Sequence, residues 1–192
     1  MEKIEKLVGK FVNLRALRVD DAKITHEWRN AQRAQYLNRG ASTVEDQARW
    51  IAHRPIEDYD FIIELKNGTP VGMLSLTHID LINKNAEPGR FLIGNENACK
   101  GIPAAAEAMK LLYQLAFENL GLVRVCGIVA ANNSLMIKWQ KYMGMKEEGR
   151  LRNHLYQDGN FFDAIYLALL VEEYRAITLP RMEAFIKAST IH

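Results

Sequence analysis

Apolar side chains recur along this chain with two periods, one of which predicts strands and the other helices. Between residues 61 and 75, apolar and polar positions alternate on either side of Asn67-Gly68. An Asn-Gly pair between two alternating runs is a strong signal for a tight hairpin turn, so two antiparallel strands are predicted there. The segments 146–156 and 161–171 predict a second hairpin near the end of the chain.

Apolar positions spaced by three, four and seven residues predict the helices. Capping residues at 20–21 and 42–45 open two helices that run to residues 30 and 51. Residues 105–116 present one apolar face, which predicts a helix with a single buried side. A further helix is predicted from Asn132-Asn133-Ser134 to Gly144, and four of its side chains are expected to face inward: Leu135, Met136, Trp139 and Met143.

The middle of the chain predicts a strand, a crossover helix and a further strand. Residues 83–89 have a loop composition and precede a short predicted strand at 90–94, whereas 122–129 is apolar on both sides and predicts a central, covered strand. A crossover of this kind implies a parallel pair inside a mixed sheet with helices on both faces. We therefore expect an α/β (α+β) fold.

The whole chain, residues 1–192, is expected to form one domain with an appended C-terminal helical segment at 172–192. The helix in this segment is predicted to be interrupted at Pro180. Its apolar side chains are numerous enough to pack against the domain or against a second subunit, so a homodimer is left open.

Charge and composition exclude several classes of function. Lys and Arg number 25 against 23 Asp and Glu, a formal net charge of +2, which does not indicate a nucleic-acid partner. The first six residues carry charges, and no run reaches the length of a membrane span, so we expect a cytoplasmic protein without a membrane partner. Cys99 and Cys126 are expected to be reduced, and no Cys/His cluster has zinc-ligand spacing, so no metal is expected.

A run of small residues opens the predicted helix at 105–116. Its sequence from Lys100 to Ala105 is Lys-Gly-Ile-Pro-Ala-Ala, and Pro103 suits the first helical position. The first N–H groups of a helix have no intrahelical acceptor, and the helix dipole favours an anion there. The run therefore indicates either a phosphate site or a simple helix start. A Walker-type nucleotide site is disfavoured because the Gly-Lys-Ser/Thr ending is missing.

These residues resemble the GCN5-related N-acetyltransferases (GNAT), and within them the RimJ/RimL-like branch, from about Phe11 to Tyr174. The acetyl-CoA loop of that family reads Gln/Arg-x-x-Gly-x-Gly/Ala. Residues 100–105 occupy these six positions without a gap, with Lys100 in place of Gln or Arg and Pro103 in place of the central glycine. The segments 120–125 and 133–149 are similar to its fifth strand, next helix and sixth strand. The resemblance implies a GNAT fold with a mostly antiparallel sheet of about seven strands and a parallel pair splayed at the cofactor site.

The same resemblance implies that acetyl-CoA is the co-substrate and that an acetyl group is moved to a primary amine by direct attack. The acyl carbonyl is expected at a backbone N–H of Leu92 or Ile93. The full set of implied cofactor-binding residues is Leu92, Ile93, Lys100, Gly101, Ile102, Ala104, Ala105, Asn133 and Lys138.

Candidate acid and base residues are less specific. Met136 and Gln140 stand where the family has a serine or a tyrosine acid, so Tyr142 or Ser134 is left to protonate the leaving thiolate. The candidates for deprotonating the amine are His78, Asp80, Glu87 and His154. A period of two would place His78 and Asp80 on one strand face, and His154 and Tyr156 on another.

The amino-terminal part of the chain narrows the range of possible acceptor amines. Glu27-Trp28-Arg29-Asn30, the residues 43–50 and the residues 79–83 are similar to enzymes that acetylate nucleotide-linked amino sugars, of the pseudaminic-acid pathway type. This likeness implies substrate contacts from Trp28, Arg29, Asn30 and Tyr156. Other acceptors stay open, namely a protein amino terminus as in ribosomal-protein acetylation, a polyamine or a drug amine. A non-catalytic acyl-CoA-binding module is the alternative of another class.

Overall fold

Eight strands form one mixed sheet in the computed structural model, which describes residues 3–37, 40–157 and 159–189. The spatial order is β1-β2-β3-β4-β5-β6-β8-β7, and every neighbouring pair is antiparallel except β5 and β6. The strands are β1 (Lys6–Val8), β2 (Val12–Ala16), β3 (Tyr59–Leu65), β4 (Pro70–Asp80), β5 (Asn85–Ile93), β6 (Arg124–Ala130), β7 (Lys146–Gln157) and β8 (Asn160–Leu170).

The expectation of a mixed, mostly antiparallel sheet with one parallel pair is confirmed. The strand number is eight rather than about seven, since β1 was not predicted. It has only three residues with a mostly exposed pattern, too few to show a period, and its pairing with β2 defines it.

Helices cover both faces of the sheet, as predicted. They are α1 (Ala22–Asn30), α2 (Val44–His53), α3 (Ala104–Gln114), α4 (Ser134–Tyr142), α5 (Val171–Glu173) and α6 (Leu179–Ala188). A π-helical turn, Leu115–Asn119, extends α3, and another, Tyr174–Thr178, joins α5 to α6. One face of the sheet packs in the larger core against α3. The other carries a smaller cluster under α1 and α2 that includes Ile62, Met73 and Leu92.

Glu107 ties α3 to the amino-terminal strands. Its carboxylate is buried and accepts backbone N–H groups from Lys10 (2.8 Å), Phe11 (2.6 Å) and Val12 (2.7 Å). A buried carboxylate is tolerated where hydrogen bonds replace its lost hydration. This contact fixes the start of α3, and therefore the loop before it, against the edge of the sheet.

The strand β5 begins at Asn85, inside the segment expected to be a loop before a strand at 90–94. Pro88 and Gly89 disfavour a strand locally, but pairing with β4 supplies the ladder, and register shifts absorb the irregularity. This earlier start is what allows Asn85 and Ala86 to pair with β6.

The inward face expected for α4 is wrong at Leu135, whose side chain is 79% exposed. None of the residues of α4 is fully buried, because the helix borders an open cleft on one side; Ile137 and Trp139 are partly buried and pack against the larger core. Met143, just beyond its end, is buried as expected.

The carboxyl-terminal helix packs on this chain's own core. Tyr174 and Met182 are buried, and the ring of Tyr174 stacks on Phe117 with centroids 4.7 Å apart. The carboxyl-terminal helix covers a second side of α3. For this reason α3 is buried on more than the one face that was predicted. The interruption expected at Pro180 is wrong: the proline lies in the first turn of α6, where a missing N–H costs little, and the preceding π-helical turn keeps the helix continuous.

Candidate active site

The strands β5 and β6 separate after a short parallel ladder. Only Asn85↔Arg124 and Ala86↔Val125 are registered pairs in the described part of the chain. Beyond them, residues 88–93 and 128–130 line opposite sides of a cleft of about 850 Å³, which we call the main cleft. The strand expected to be covered on both sides is open here, since Ile128 is 40% exposed. Diverging strands at their carboxyl ends are a common place for a ligand in an α/β sheet.

The amino-terminal end of α4 lines the main cleft. Asn133 caps this helix, and its Oδ1 accepts the Met136 N–H at 3.2 Å. The amide Nδ2 is therefore the polar atom of Asn133 that could donate to a ligand. Met136 and Gln140 also line the cleft, at the two positions where the sequence lacks the usual acid.

The segment after α1 and the β7–β8 hairpin also line the main cleft. Arg33, Tyr36 and Leu37 line it from the amino-terminal side, and Leu155 lines it from β7. The two sides touch, because Gln157 Nε2 donates to the Leu37 carbonyl at 3.4 Å. Arg33 also pairs with Glu96, which lies on the same cleft.

A charge cluster of Arg90, Asp60 and Arg54 lies beside the part of the main cleft that Arg90 lines. Arg90 Nη1 donates to Asp60 Oδ1 at 2.7 Å, and Arg54 Nε lies 3.4 Å from Asp60 Oδ2. The Arg90 guanidinium also lies 5.1 Å from the ring centroid of Trp50 on α2. Burial raises the pKa of the Asp60 carboxyl, while Arg90 and Arg54 act in the opposite direction.

Arg90 reaches this position through an irregular backbone. Its φ is +51°, in the left-handed region, and the β4–β5 register shifts between Met73 and Ser75. A conformation of this kind is costly for a residue with a side chain and persists only where surrounding contacts hold it. The contacts with Asp60 and Trp50 are such contacts.

A smaller cavity of about 350 Å³ lies between α1, α2 and the sheet, and we call it the side cavity. Its lining residues are Arg29, Gly40, Ala41, Gln47, Trp50, Met73 and Arg90. Arg29 and Arg90 line the main cleft as well, so they form the boundary between the two spaces. Burial lowers the pKa of the Arg29 guanidinium, and the like charge of Arg90 lowers it further.

The small-residue loop adjoins the main cleft, whose lining reaches Cys99. Gly101 has φ +75°, and a Cβ there would meet no atom within 4 Å. The helix α3 begins at Ala104, as expected for a helix start after Pro103. The Ile102 N–H, however, donates to the Cys99 carbonyl at 2.9 Å, so this donor is engaged within the loop. Lys100 and Lys138 are exposed.

Three of the base candidates lie on β4 and β5, outside the residues that line the main cleft among those described. His78 Nδ1 lies 3.2 Å from Glu87 Oε2, and Glu87 directly precedes the cleft residue Pro88. Asp80 instead accepts the N–H groups of Ile82 and Asn83 in the turn after β4, and the Asn83 backbone bond lowers its pKa. The shared face expected for His78 and Asp80 is wrong, because His78 has φ +50° and the register shifts between Thr77 and Asp80.

The remaining candidates are exposed. His154 lies where the β7–β8 register shifts between Leu151 and Leu155, which breaks the period of two that would relate it to Tyr156. The Tyr156 ring contacts Phe161, and the Tyr142 ring lies 5.1 Å from the guanidinium carbon of Arg181. None of His154, Tyr156 and Tyr142 is among the described residues that line the main cleft.

The three residues of α1 that were predicted to contact the acceptor differ from one another in their surroundings. Arg29 lines both cavities, whereas Asn30 donates to the His26 and Ala41 carbonyls and holds the segment after α1. Trp28 packs against the end of β5, since a Cβ on Gly94 would lie 2.2 Å from its ring. Its position explains why Gly94 follows β5.

Several cleft residues were missed by the sequence reasoning: Arg33, Tyr36, Arg90, Glu96, Cys99 and Leu155. The sequence signal for Arg90, Glu96 and Cys99 is that they lie in or directly after the strand predicted to feed the loop at 100–105. Arg33, Tyr36 and Leu155 come from segments far from it in the chain, and no local period brings them together.

A family model described as an acetyltransferase (GNAT) domain matches residues 12–146. This match covers the diverging strands, the small-residue loop and most of α4. The chain belongs to the GNAT acetyltransferases. The resemblance to this family found in the sequence is thereby confirmed.

Two curated relatives and one solved structure place this GNAT chain among its neighbours. "Putative ribosomal N-acetyltransferase YdaF" of Bacillus subtilis (strain 168) is 37% identical over 110 residues, which are 57% of this chain and 58% of that protein. Spermidine N(1)-acetyltransferase of Escherichia coli (strain K12) is 28% identical over 116 residues, 60% of each chain. The alignments thus span less than two thirds of either relative.

The solved structure is the spermidine N-acetyltransferase of Vibrio cholerae in complex with CoA and spermine. It has a TM-score of 0.75 and 21% identity, and the match covers 87% of this chain and 99% of that one. At this identity the likeness supports the GNAT fold, which the sheet order also shows.

No helix among the described residues is long and apolar enough to cross a membrane. No group of three or more His, Cys, Asp or Glu side chains in that part of the chain is arranged to hold a metal ion.

Proposed function

We propose that this chain transfers the acetyl group of acetyl-CoA to the primary amine of a small molecule, by direct attack and without a covalent enzyme intermediate. The observation that carries the proposal is the main cleft, which opens where β5 leaves β6 and whose lining reaches Cys99, just before the small-residue loop. A thioester and an amine held together in such a cleft react as if at high effective concentration, which is worth several kcal/mol.

The donor end fits a CoA pyrophosphate. The first N–H groups of α3 have no intrahelical acceptor, and Gly101 leaves space for a close approach. Gly101, Ala104 and Ala105 would supply the donors, with Lys100 and Lys138 adding charge at the surface. Ile102 is a weaker candidate because its N–H is already engaged.

The acyl end would rely on main-chain groups. Acetyl-CoA supplies the activated acetyl group when bound. The backbone N–H of Leu92 or Ile93 would hold the acyl oxygen and stabilise the negative charge that develops on it. Asn133 Nδ2 would donate to the pantetheine arm, since its Oδ1 already caps α4.

For proton transfer we propose Glu87 with His78 as the base, acting through a water molecule. Glu87 adjoins the cleft residue Pro88, and its contact with His78 holds its carboxylate in one orientation. Asp80, His154 and Tyr142 are weaker candidates, because Asp80 is engaged in a turn and the other two are exposed. The Glu87→Gln variant is expected to change the pH dependence of kcat, and the matched His154→Gln variant to leave it unchanged.

A nucleotide-linked amino sugar is the acceptor we place first, on the likeness at residues 27–30 and the position of Arg29 on both cavities. A protein amino terminus is the second candidate, because the 37% identical relative carries a ribosomal name. A polyamine is disfavoured by the arginines at the acceptor end. A cytoplasmic location, a homodimer and the absence of a metal stay predictions.

Turnover with a panel of amines tests the proposal. Release of the free CoA thiol is measured with nucleotide-linked amino sugars, peptides with free amino termini, and spermidine. Acetylation of the sugar amines would support the proposal, and turnover of peptides or spermidine alone would contradict the acceptor. Binding of acetyl-CoA without turnover of any amine would indicate a non-catalytic acyl-CoA-binding module.

A further inference from the structure

A carboxylate in the first turn of α3 is bound by main-chain groups of a distant segment. Glu107 is 5% exposed. Its oxygens accept three backbone N–H groups, from Lys10 at 2.8 Å, from Phe11 at 2.6 Å and from Val12 at 2.7 Å. These donors belong to the turn between β1 and β2 and to the first residue of β2. The contact therefore connects the start of α3 to a turn at the edge of the sheet.

Gly9 allows the turn to approach the carboxylate this closely. A Cβ at Gly9 would lie 2.8 Å from Cδ of Glu107 and 2.7 Å from the carbonyl oxygen of Val12, so that one of them would have to move. The Gly9 N–H donates to that same carbonyl at 2.9 Å, which closes the turn. An alanine at position 9 therefore disturbs the contact without changing Glu107 itself.

Glu107 follows closely on the N–H groups that we propose for the CoA pyrophosphate. Gly101, Ala104 and Ala105 precede it by six, three and two positions. Its own N–H donates to the Pro103 carbonyl at 3.0 Å, within the first turn of α3. The other residues of that turn are alanines, whose side chains pack but form no hydrogen bond. The carboxylate is thus the polar side chain that fixes this turn to another element.

We infer that Glu107 is a positioning residue of the donor site, which orders the N–H groups at 101–105 before acetyl-CoA binds. This inference rests on the donor end of the proposed function and adds to it a residue that does not touch the donor. Both oxygens of Glu107 already accept main-chain N–H groups. A loop that is ordered in advance binds its ligand more tightly, because less conformational entropy is lost on binding.

A carboxylate near the start of a helix also has an electrostatic effect, and this effect has the opposite sign. Its negative charge counteracts the positive end of the helix dipole and repels a phosphate placed there. If this repulsion were the main influence of Glu107, removal of the charge would tighten CoA binding. If positioning dominates, the same change weakens CoA binding. The sign of the change in affinity therefore separates the two effects.

Calorimetry with CoA in the absence of any acceptor is the measurement. Glu107→Gln keeps the size of the side chain but turns one of its acceptors into a donor that faces backbone N–H groups. We expect the affinity for CoA to fall about 10-fold, the scale of one hydrogen bond to a charged group. The matched control is Glu45→Gln, which removes an exposed carboxylate from the first turn of α2 and should keep the wild-type affinity. Unchanged or tighter CoA binding in Glu107→Gln would overturn the inference.

Gly9→Ala tests the same contact from the side of the turn, and it decides the question should Glu107→Gln fail to fold. We expect a similar loss of CoA affinity, and no further loss when the two changes are combined, because both break one contact. Gly68→Ala, at the β3–β4 turn, is the control and should bind CoA as the wild type does. Additive losses in the double variant, or an equal loss in Gly68→Ala, would contradict the positioning role.

A variant of the loop separates failure of the inference from failure of the proposed function. Ala105→Phe places a large side chain on the proposed pyrophosphate site itself. Wild-type CoA affinity in this variant would overturn the donor site, and the role of Glu107 with it. A loss of affinity in Ala105→Phe together with wild-type affinity in Glu107→Gln would leave the donor site intact and overturn the inference alone.

Discussion

Arg90 Nη1 lies 2.7 Å from Oδ1 of Asp60, a carboxylate whose side chain is 1% exposed. The pair joins β5, at the point where it lines the main cleft, to β3 in the interior. Burial of such a pair is expensive, and its two members depend on each other. The shape of the main cleft at Arg90 is therefore coupled to the stability of the sheet.

Removal of Arg90 alone should be strongly destabilising. Arg90→Met leaves Asp60 buried with only the longer contact to Arg54, and the expected loss is about 3 kcal/mol in the free energy of unfolding. Asp60→Asn added to this variant should restore part of the loss, because the buried charge is then gone. Urea unfolding of both variants is the measurement. A loss no larger than that of Arg49→Gln, a change at an exposed position of α2 that is expected to cost less than about 1 kcal/mol, would contradict the coupling.

Gly94 sets the distance between α1 and β5. A Cβ at this position would lie 2.2 Å from the Trp28 ring, so Gly94→Ala must push α1 away from the strand. We expect a loss of about 1–3 kcal/mol in stability. We also expect a fall in kcat/KM for the acceptor that is larger than any change in the KM for acetyl-CoA, because Arg29 moves with α1.

The matched control is Gly68→Ala, at the β3–β4 turn, where a Cβ meets no atom within 4 Å but the φ of +86° is strained. It should cost stability without changing the acceptor kinetics. Steady-state kinetics of the two variants, measured in parallel, test this. The same fall in kcat/KM for the acceptor in both variants would argue against a role for the Trp28 contact.

Different substitutions separate the capping role of Asn133 from its proposed role in acetyl-CoA binding. Asn133→Ala removes the cap of α4 and should cost about 1 kcal/mol in stability. Asn133→Ser keeps a capping oxygen but lacks the amide Nδ2, so its stability should stay near the wild-type value. Both variants should weaken acetyl-CoA binding, which calorimetry measures. Wild-type affinity in Asn133→Ser would show that the side chain acts only as a cap.

Two buried tyrosines where the carboxyl-terminal helix meets α3 make the free energy of unfolding depend on pH in the alkaline range. Burial raises the pKa of Tyr174 to about 12, and it also raises the pKa of Tyr113. The unfolded chain loses these protons near the ordinary value of 10.0, while the folded protein still holds them. The contribution of these two tyrosines to the free energy of unfolding should therefore be constant below that pH and fall as the pH rises from 10 towards 12.

Tyr174→Phe is the matched variant, since neither buried hydroxyl has a hydrogen-bond partner among the described residues. It should keep its stability at neutral pH and show a smaller fall at alkaline pH, as followed by urea unfolding. An unchanged alkaline fall in Tyr174→Phe combined with Tyr113→Phe would mean that other groups cause it. Tyr174→Ala, in contrast, should lose about 3–5 kcal/mol by leaving a cavity.

The local patterns predicted most of the elements for identifiable reasons. Asn67-Gly68 forms the expected turn with Gly68 at φ +86°, and Thr43 caps α2 by accepting the Asp46 N–H. The run at 100–105 opens α3 as predicted. Each of these features depends on neighbours within a few residues, which the sequence displays directly.

The errors occur where long-range contacts override the local pattern. The strand β5 extends through Pro88 and Gly89 because β4 pairs with it, and Leu135 stays exposed because α4 borders an open cleft. His78 and Asp80 have different partners, since a left-handed residue and a register shift interrupt the alternation on β4. Bulges of this kind have no reliable signature in one sequence.

The sequence by itself determined the family, the helix start after the small-residue loop and the crossover, because these are carried by contiguous residues and by periods of two and 3.6. The tertiary structure alone decided which residues meet between the main cleft and the side cavity. Arg29 and Arg90 are 61 positions apart in the chain, and they meet because α1 lies on the sheet face towards which the bulge in β5 turns Arg90. Contacts between distant segments depend on packing and register, which no local pattern encodes.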